Sequence, residues 1–146
     1  VEMIRGVVES NAIVIEQKDV HVEICAEDTV YVWADEWKAE QVLSNYFSNA
    51  LHHVSEAGTI RISVALLEEK GTARITVYNT GERIPEEDID QVWNKFYKVD
   101  KARTREYGGN GIGLSIVKAI MESFQRDYGV KNEEEGVTFW YELDVR

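Results

Sequence analysis

The clearest chemical signal in the sequence is a run of glycines that leads into a helical pattern. Gly109, Gly111 and Gly113 alternate ahead of an apolar stripe with helical spacing that ends near Arg126. Backbone N–H groups at a helix N-terminus, freed of side-chain bulk by glycine, form a cradle for phosphate groups. The run therefore predicts a phosphate-binding turn. It fits neither the dinucleotide fingerprint, because Leu114 takes the third glycine position, nor the P-loop, because no Gly-Lys-Ser/Thr occurs.

Two asparagines on one side of the longest predicted helix form a second candidate site. The spacing of apolar residues predicts this helix from Asp35 to Val54, with Asp35 as its N-cap. Asn45 and Asn49 are four residues apart and lie one above the other, and His52 continues the stripe. Their amide oxygens could bind a hard cation such as Mg²⁺ that carries phosphates on its other side. Taken alone, the pattern is better explained by two ordinary exposed asparagines.

A segment between a predicted strand and a predicted helix, residues 78–85, is the third candidate. Gly81 supplies a tight turn and Pro85 precedes an acidic first helical turn. Asn79 stands at the strand end, where its side-chain oxygen could accept a hydrogen bond from an adenine amino group. Taken alone, the segment is most simply a turn between two elements.

The elements that must position these residues alternate between helices and pairs of strands. Because strands come mainly in adjacent pairs, the order predicts an α+β fold, an α/β sandwich with a mixed, mostly antiparallel sheet and helices packed on one face. No linker divides the 146 residues, so residues 1–146 are expected to form a single domain. The predicted helices span 2–17, 35–54, 86–96 and 111–126, and the predicted strands 20–24, 30–33, 59–66, 72–78, 128–131 and 137–145.

Composition narrows the classes of partner. A net charge of −11 repels the phosphates of DNA or RNA, so no nucleic-acid partner is expected. A single nucleotide remains compatible, because backbone N–H groups and a metal ion can hold phosphates locally. The one cysteine, Cys25, is predicted to be a small buried hydrophobe and suits a reducing compartment. No apolar run approaches the ~20 residues that span a membrane.

Five segments, in this order and spacing, resemble the sequence boxes of the ATP-binding catalytic domain of bacterial two-component sensor histidine kinases. The likeness spans nearly the whole chain and implies the Bergerat-type ATP-binding fold of the GHKL superfamily, shared with gyrase B, MutL and the heat-shock chaperone ATPases. The segments are residues 40–50 (asparagine box), 79–85 (first glycine box), 93–100 (phenylalanine box), 109–115 (second glycine box) and 136–139 (closing strand motif).

The resemblance implies a protein-histidine kinase domain that binds ATP and Mg²⁺ and donates the γ-phosphoryl group. It implies that Asn49 holds Mg²⁺ with assistance from Asn45, which is also the catalytic residue. Hydrolysing relatives commonly carry Glu at position 45; since Asn cannot accept a proton, the domain is expected to be a poor hydrolase. The implied ATP-binding residues are Asn45, Asn49, His52, Asn79, Gly81, Ile84, Phe96, Tyr97, Lys98, Gly109, Gly111, Ile112, Gly113, Leu114 and Thr138.

The phosphoryl acceptor is expected on another domain. None of the three histidines, His21, His52 and His53, lies in the acidic, proline-containing motif of a phosphoacceptor. The fragment alone is therefore expected not to autophosphorylate. The resemblance implies its own helical dimerisation/phosphoacceptor domain as one partner, a response regulator as another, and a homodimeric parent protein. It places this domain on the cytoplasmic side of a membrane-anchored sensor, with no direct membrane contact.

Four positions depart from the family pattern, and two alternatives to the histidine kinase remain open, of which the departures support the first. Asn79 stands where Asp is usual, Arg83 where glycine is usual, His52 where lysine is usual, and Asn110 where threonine is common. With a reference pKa of about 6.5, histidine supplies less positive charge at pH 7 than lysine does. The first alternative is a degenerate, non-catalytic nucleotide-sensing module. The second is an anti-sigma-factor-type serine kinase with the same fold.

Overall fold

The structure, a computed structural model, describes residues 1–26, 31–94 and 113–145. Within those ranges the chain alternates between helices and strand pairs, as the sequence predicts. The elements in chain order are α1 (Glu2–Ser10), α2 (Ala12–Lys18), β1 (His21–Cys25), β2 (Val32–Trp33), α3 (Glu36–His53), β3 (Thr59–Leu67), β4 (Thr72–Thr80), a 3-10 helix (Glu86–Gln91), α4 (Gly113–Phe124), β5 (Tyr128–Asn132) and β6 (Gly136–Val145).

The strands form one six-stranded sheet in the order β1-β3-β4-β6-β2, and β5 also pairs with β6. β1 runs parallel to β3, and the other pairs are antiparallel. β4 pairs with β6 through residues 136–144, while β5 pairs with residues 137–141 and β2 with residues 144 and 145. The sheet is therefore mixed and mostly antiparallel, which confirms the predicted fold class.

The two faces of the sheet differ in chemistry because side chains alternate along each strand. Ile75 and Val77 of β4 and Phe139 of β6 lie on the inner face, in one hydrophobic core with buried residues of α1, α3 and α4. Arg74 and Glu142 lie across from each other on the outer face. Helices thus pack on the inner face, and polar and aromatic side chains cover the outer face.

Helix α3 is the central element of the inner face and begins and ends within one residue of its predicted bounds. The Asp35 carboxylate caps it by accepting a hydrogen bond from the Lys38 N–H at 3.0 Å. Tyr46 is fully buried, and its hydroxyl donates to the carbonyl oxygen of Trp140 at 3.0 Å. The capping bond fixes where the helix begins, and the tyrosine fixes its middle against β6.

Three expectations about local structure are wrong. The predicted helix over residues 2–17 is interrupted at Asn11 (φ −110°, ψ 14°), whose side-chain amide donates to the carbonyl oxygen of Val7. The predicted helix from Glu86 is a 3-10 helix that ends at Gln91. Cys25 is exposed, because it lies at the end of an edge strand.

Candidate functional site

The middle of α3 lies against the N-terminus of α4. Gly113 is the first residue of α4, and a Cβ atom there would stand 3.1 Å from Oδ1 of Asn45. Such a separation is shorter than an ordinary van der Waals contact, so a side chain at Gly113 would require the Asn45 amide to shift by a few tenths of an ångström. The first backbone N–H groups of α4 have no partner within the helix and are donors suited to an anion. The structure therefore brings the described end of the glycine run to the first asparagine.

The amide of Asn45 is unusual because its Nδ2 is buried without a hydrogen-bond partner among the described residues. Buried side-chain polar atoms nearly always have a partner, and an orphaned donor costs about 1–3 kcal/mol. A bound group with acceptor oxygens beside Asn45 would satisfy this donor. The amide oxygen beside Gly113 is in turn a ligand type that Mg²⁺ accepts together with phosphate and water. These residues fit a magnesium-bound polyphosphate.

Asn49 and His52 continue the stripe toward the C-terminal end of α3, and both side chains are half-buried. At that end, the Lys18 ammonium donates to the carbonyl oxygen of Leu51, which places a positive charge at the negative end of the helix. Desolvation first, and then the nearby Lys18, lower the pKa of His53, while Glu82 raises it less.

The end of β4 places a buried amide on the same face of the sheet as α3. Asn79 is 1% exposed and pairs with Ile60 on one side and Val137 on the other. Its Nδ2 donates to the carbonyl oxygen of Thr80 at 3.1 Å. An asparagine carbonyl oxygen is an acceptor, which is the chemistry expected of a contact to an adenine amino group.

Gly81 joins the strand end to the end of α3. Its φ of +141° is a conformation that residues with side chains rarely adopt, and a Cβ atom there would stand 2.5 Å from the carbonyl oxygen of His53. The Gly81 N–H donates to the carbonyl oxygen of Glu135 at 3.0 Å. The loop after β4 therefore rests on the C-terminus of α3. This helix carries the second candidate site and contacts both the end of the glycine run and the third candidate segment.

The residues after Gly81 explain how one departure from the family pattern is accommodated. Arg83 is exposed, so its side chain does not fill the inner face, and the next residue, Ile84, is buried in the core. The backbone of Ile84 is held by the side-chain amide of Asn132, which accepts from the Ile84 N–H at 2.9 Å and donates to its carbonyl oxygen at 2.7 Å. Asn132 is not among the predicted site residues.

The placement of Thr138 requires a correction. Thr138 pairs with Tyr78 and lies on the outer face, where its hydroxyl donates to the carboxylate of Glu133 at 3.2 Å. Asn79, one residue after Tyr78, and Val137, one residue before Thr138, form the next pair and face the helices instead. Because strand neighbours point to opposite faces, the side chain of Thr138 is separated from that of Asn79 by the sheet. Val137, which pairs with Asn79, is the neighbouring residue of β6 on the inner face.

Six of the predicted site residues lie outside the described residues. Leu114, the second residue of α4, is described and half-buried. The six are Phe96, Tyr97, Lys98, Gly109, Gly111 and Ile112.

This combination of fold and site places the chain in a known class. Residues 34–146 match the family of the histidine kinase-, DNA gyrase B- and HSP90-like ATPases, and the chain belongs to this family. Its mixed sheet with helices on one face is the fold of a histidine-kinase-type ATPase domain.

Individual relatives narrow the class to sensor kinases. The chain is 37% identical over 133 residues to the sensor histidine kinase WalK of Bacillus subtilis (strain 168), covering 88% of this chain and 22% of WalK. The catalytic domain of the histidine kinase ThkA, nucleotide-free, superposes with a TM-score of 0.86 at 28% identity, covering 98% of this chain and 90% of that one. ThkA in complex with the response regulator protein TrrA matches with a TM-score of 0.81 at 28% identity, covering 97% of this chain and 39% of that one. The chain spans about a fifth to a quarter of the curated relatives' length.

Proposed function

We propose that this domain binds Mg²⁺–ATP between α3, the start of α4 and the loop after β4, and donates the γ-phosphoryl group to a histidine on a separate dimerisation/phosphoacceptor domain. The observation that carries the proposal is the orphaned, buried amide of Asn45 beside the bare backbone of Gly113. A bound polyphosphate would supply acceptor oxygens to this donor, which has no hydrogen-bond partner among the described residues.

Each described residue has a role that follows from its position. Asn79 accepts from the adenine amino group, and the N–H groups of Gly113 and Leu114 donate to phosphate oxygens at the start of α4. Asn49 and Asn45 present amide oxygens to Mg²⁺, which neutralises charge on the transferring phosphoryl group when it is bound. Phosphoryl transfer needs mainly positioning and charge neutralisation, so amides and backbone donors suffice.

For residues outside the described ranges, the proposed roles rest on the resemblance to the family alone. Lys98 would reach a phosphate from a lid anchored by Phe96, and the N–H groups near Gly111 would extend the cradle. Tyr97, Gly109 and Ile112 are proposed as further nucleotide contacts. His52 stands where the family has lysine and would contact phosphate as a hydrogen-bond donor.

Binding is tested by isothermal titration with a non-hydrolysable ATP analogue and Mg²⁺. We expect the wild-type chain to bind and Asn49→Ala to lose at least about tenfold in affinity, since an Mg²⁺ ligand is removed. Ser48→Ala is the matched control, because Ser48 is the exposed neighbour on the same helix. An absence of binding by the folded wild-type chain would refute the proposal and favour the degenerate nucleotide-sensing module.

The separation of donor and acceptor is tested with radiolabelled ATP and denaturing gels. We expect no labelled band from this chain alone, because none of its histidines has a phosphoacceptor context. Label should appear when a helical domain carrying such a histidine is added. Label on this chain alone would contradict the assignment, and label on a partner's serine would favour the anti-sigma-factor type.

The same proposal extends to the parent protein, its partners and its location. We propose that the parent protein is a homodimeric sensor kinase, that a response regulator receives the phosphoryl group, and that residues 1–146 act as its single catalytic domain on the cytoplasmic side. The ThkA–TrrA complex supports a response regulator as partner. Within the described ranges, none of the helices combines the length and the apolar character that a membrane span requires.

A further inference from the structure

The loop that leaves β4, residues 81–84, is fixed at both ends by the hairpin of β5 and β6. At its start, the Gly81 N–H donates to the carbonyl oxygen of Glu135 at 3.0 Å. At its end, the Ile84 N–H donates to Oδ1 of Asn132 at 2.9 Å, and Nδ2 of Asn132 donates to the Ile84 carbonyl oxygen at 2.7 Å. The two residues between these points are exposed. The hairpin therefore determines where the loop lies.

The chemistry of Asn132 suits this task. A carboxamide carries one acceptor and one donor in the same plane, so it makes with Ile84 the pair of bonds that a neighbouring strand would make. Asn132 is the last residue of β5 and is half-buried, so its amide is directed by an ordered strand. Aspartate in its ionised form would lack the donor, and alanine would lack both groups.

The position of this loop bears on the base end of the proposed nucleotide site. Asn79 precedes the loop by two residues, and Gly81 carries it against the end of α3. Only the two exposed residues 82 and 83 separate Ile84 from Gly81, so a shift of Ile84 would act on the chain directly after Asn79. The phosphate end depends on other elements, because Asn45 and Gly113 belong to α3 and α4.

We propose that Asn132 is a positioning residue for base recognition, which holds the loop after β4 so that Asn79 meets the adenine amino group. This inference rests on the proposed function, since it assumes that the base lies beside Asn79. It assigns to Asn132 an effect on the choice of base rather than on the binding of phosphates.

The experiment compares the binding of ATP and of ITP, each with Mg²⁺, by isothermal titration. ITP carries a carbonyl oxygen in place of the exocyclic amino group and an N1–H in place of the N1 acceptor, so the ratio of the two affinities reports on recognition of this edge of the base. We expect the wild-type chain to prefer ATP, and Asn132→Ala to reduce the ratio of the affinities by roughly tenfold, the equivalent of one lost hydrogen bond. Asn132→Asp, which keeps the size and the acceptor, should reduce it as well.

The control is Asn11→Ala, which removes a side-chain amide bond to a backbone carbonyl in the N-terminal helices, at 2.8 Å from Asn11 to the oxygen of Val7. It should leave the ratio unchanged. An equal loss of ATP and ITP affinity in the Asn132 variants, or no loss, would overturn the inference while the proposed function stands. A folded wild-type chain that binds neither nucleotide would overturn both. If Asn132→Ala does not fold, Asn132→Asp decides by the same criterion.

Discussion

Replacing Arg74 with leucine should reverse the contribution that Glu142 makes to the pH dependence of stability. The side chain of Glu142 lies on the outer face of the sheet and is 2% exposed. Its Oε2 accepts from Nε and Nη2 of Arg74 at 3.0 and 2.6 Å, and its Oε1 accepts from Lys70 at 3.1 Å and from the Thr72 hydroxyl at 3.3 Å. Burial raises the pKa of Glu142, but the bonds from Arg74 and Lys70 together outweigh it, and the pKa is lowered.

The sign of the change in stability with pH depends on whether burial or the bonds from Arg74 and Lys70 dominate the pKa of Glu142. In the wild-type domain, the folded pKa of Glu142 lies below the unfolded value of about 4.3, so its stabilisation is complete above that value and is lost as the pH falls through the folded pKa. In Arg74→Leu, burial is opposed mainly by Lys70, whose side chain is 49% exposed. The folded pKa should then lie above the unfolded value. Stability relative to wild type should therefore rise as the pH is lowered from 7 toward 4.

The magnitude depends on which partner is removed. Arg74→Leu leaves a buried carboxylate short of partners, and we expect it to cost about 3 kcal/mol at pH 7. Of this, about 0.5–1 kcal/mol is the stacking of Arg74 over the Trp140 ring, at 3.9 Å from the centroid. Glu142→Gln removes the charge itself and leaves Arg74 and Lys70 able to reach water, since their side chains are 36% and 49% exposed. We expect it to cost about 1–2 kcal/mol.

Urea unfolding followed by circular dichroism at pH 5 and pH 7 measures both quantities, with each variant compared with wild type at the same pH. Adding Glu142→Gln to Arg74→Leu should abolish the reversed pH dependence, because no buried carboxylate remains. A wild-type pH dependence in Arg74→Leu, or a larger cost for Glu142→Gln than for Arg74→Leu, would refute the reasoning. Nucleotide affinity should not change, since the outer face is separated from the proposed site by the sheet.

Three further changes test the proposed site and the packing and capping of α3. Gly113→Ala should lower ATP affinity about tenfold in titration, because the added Cβ would stand 3.1 Å from Oδ1 of Asn45. The melting temperature should stay the same or rise, because alanine favours the helix. Unchanged affinity would contradict this prediction. Tyr46→Phe should cost about 1 kcal/mol in urea unfolding, because the bond to the Trp140 carbonyl is lost but the ring contacts stay. Asp35→Ala should also cost about 1 kcal/mol, because the cap of α3 is lost, and Asp35→Asn should restore most of it.

Elements with a strong local signal could be predicted from the sequence. Helix α3 combines a regular apolar stripe with a capping Asp35, and both its bounds are confirmed within one residue. The helix predicted over residues 2–17 has a similar stripe, yet it is interrupted at Asn11, whose amide bonds to a carbonyl of the preceding turn. Periodicity reports which side of a segment is apolar, and it is insensitive to such a break.

Features that depend on distant parts of the chain could not be predicted. The face on which Thr138 lies is set by the register between β4 and β6, and a step of one residue exchanges the two faces. Asn132 and Ile84 are 48 residues apart, and neither residue type signals the bond. The amide of Asn45 was predicted as a site residue, but the orphaned Nδ2 becomes visible only when the surrounding contacts are known.

The exposure of Cys25 at the open edge of the sheet has a practical consequence for studies of assembly. A free thiol on an edge strand is accessible to a second copy of the chain, and air oxidation could join two copies covalently. Such a species would migrate as a dimer in chromatography even though the domain that is proposed to dimerise the parent protein takes no part. Measurements of oligomeric state therefore need a reductant or Cys25→Ser before any dimer is attributed to signalling.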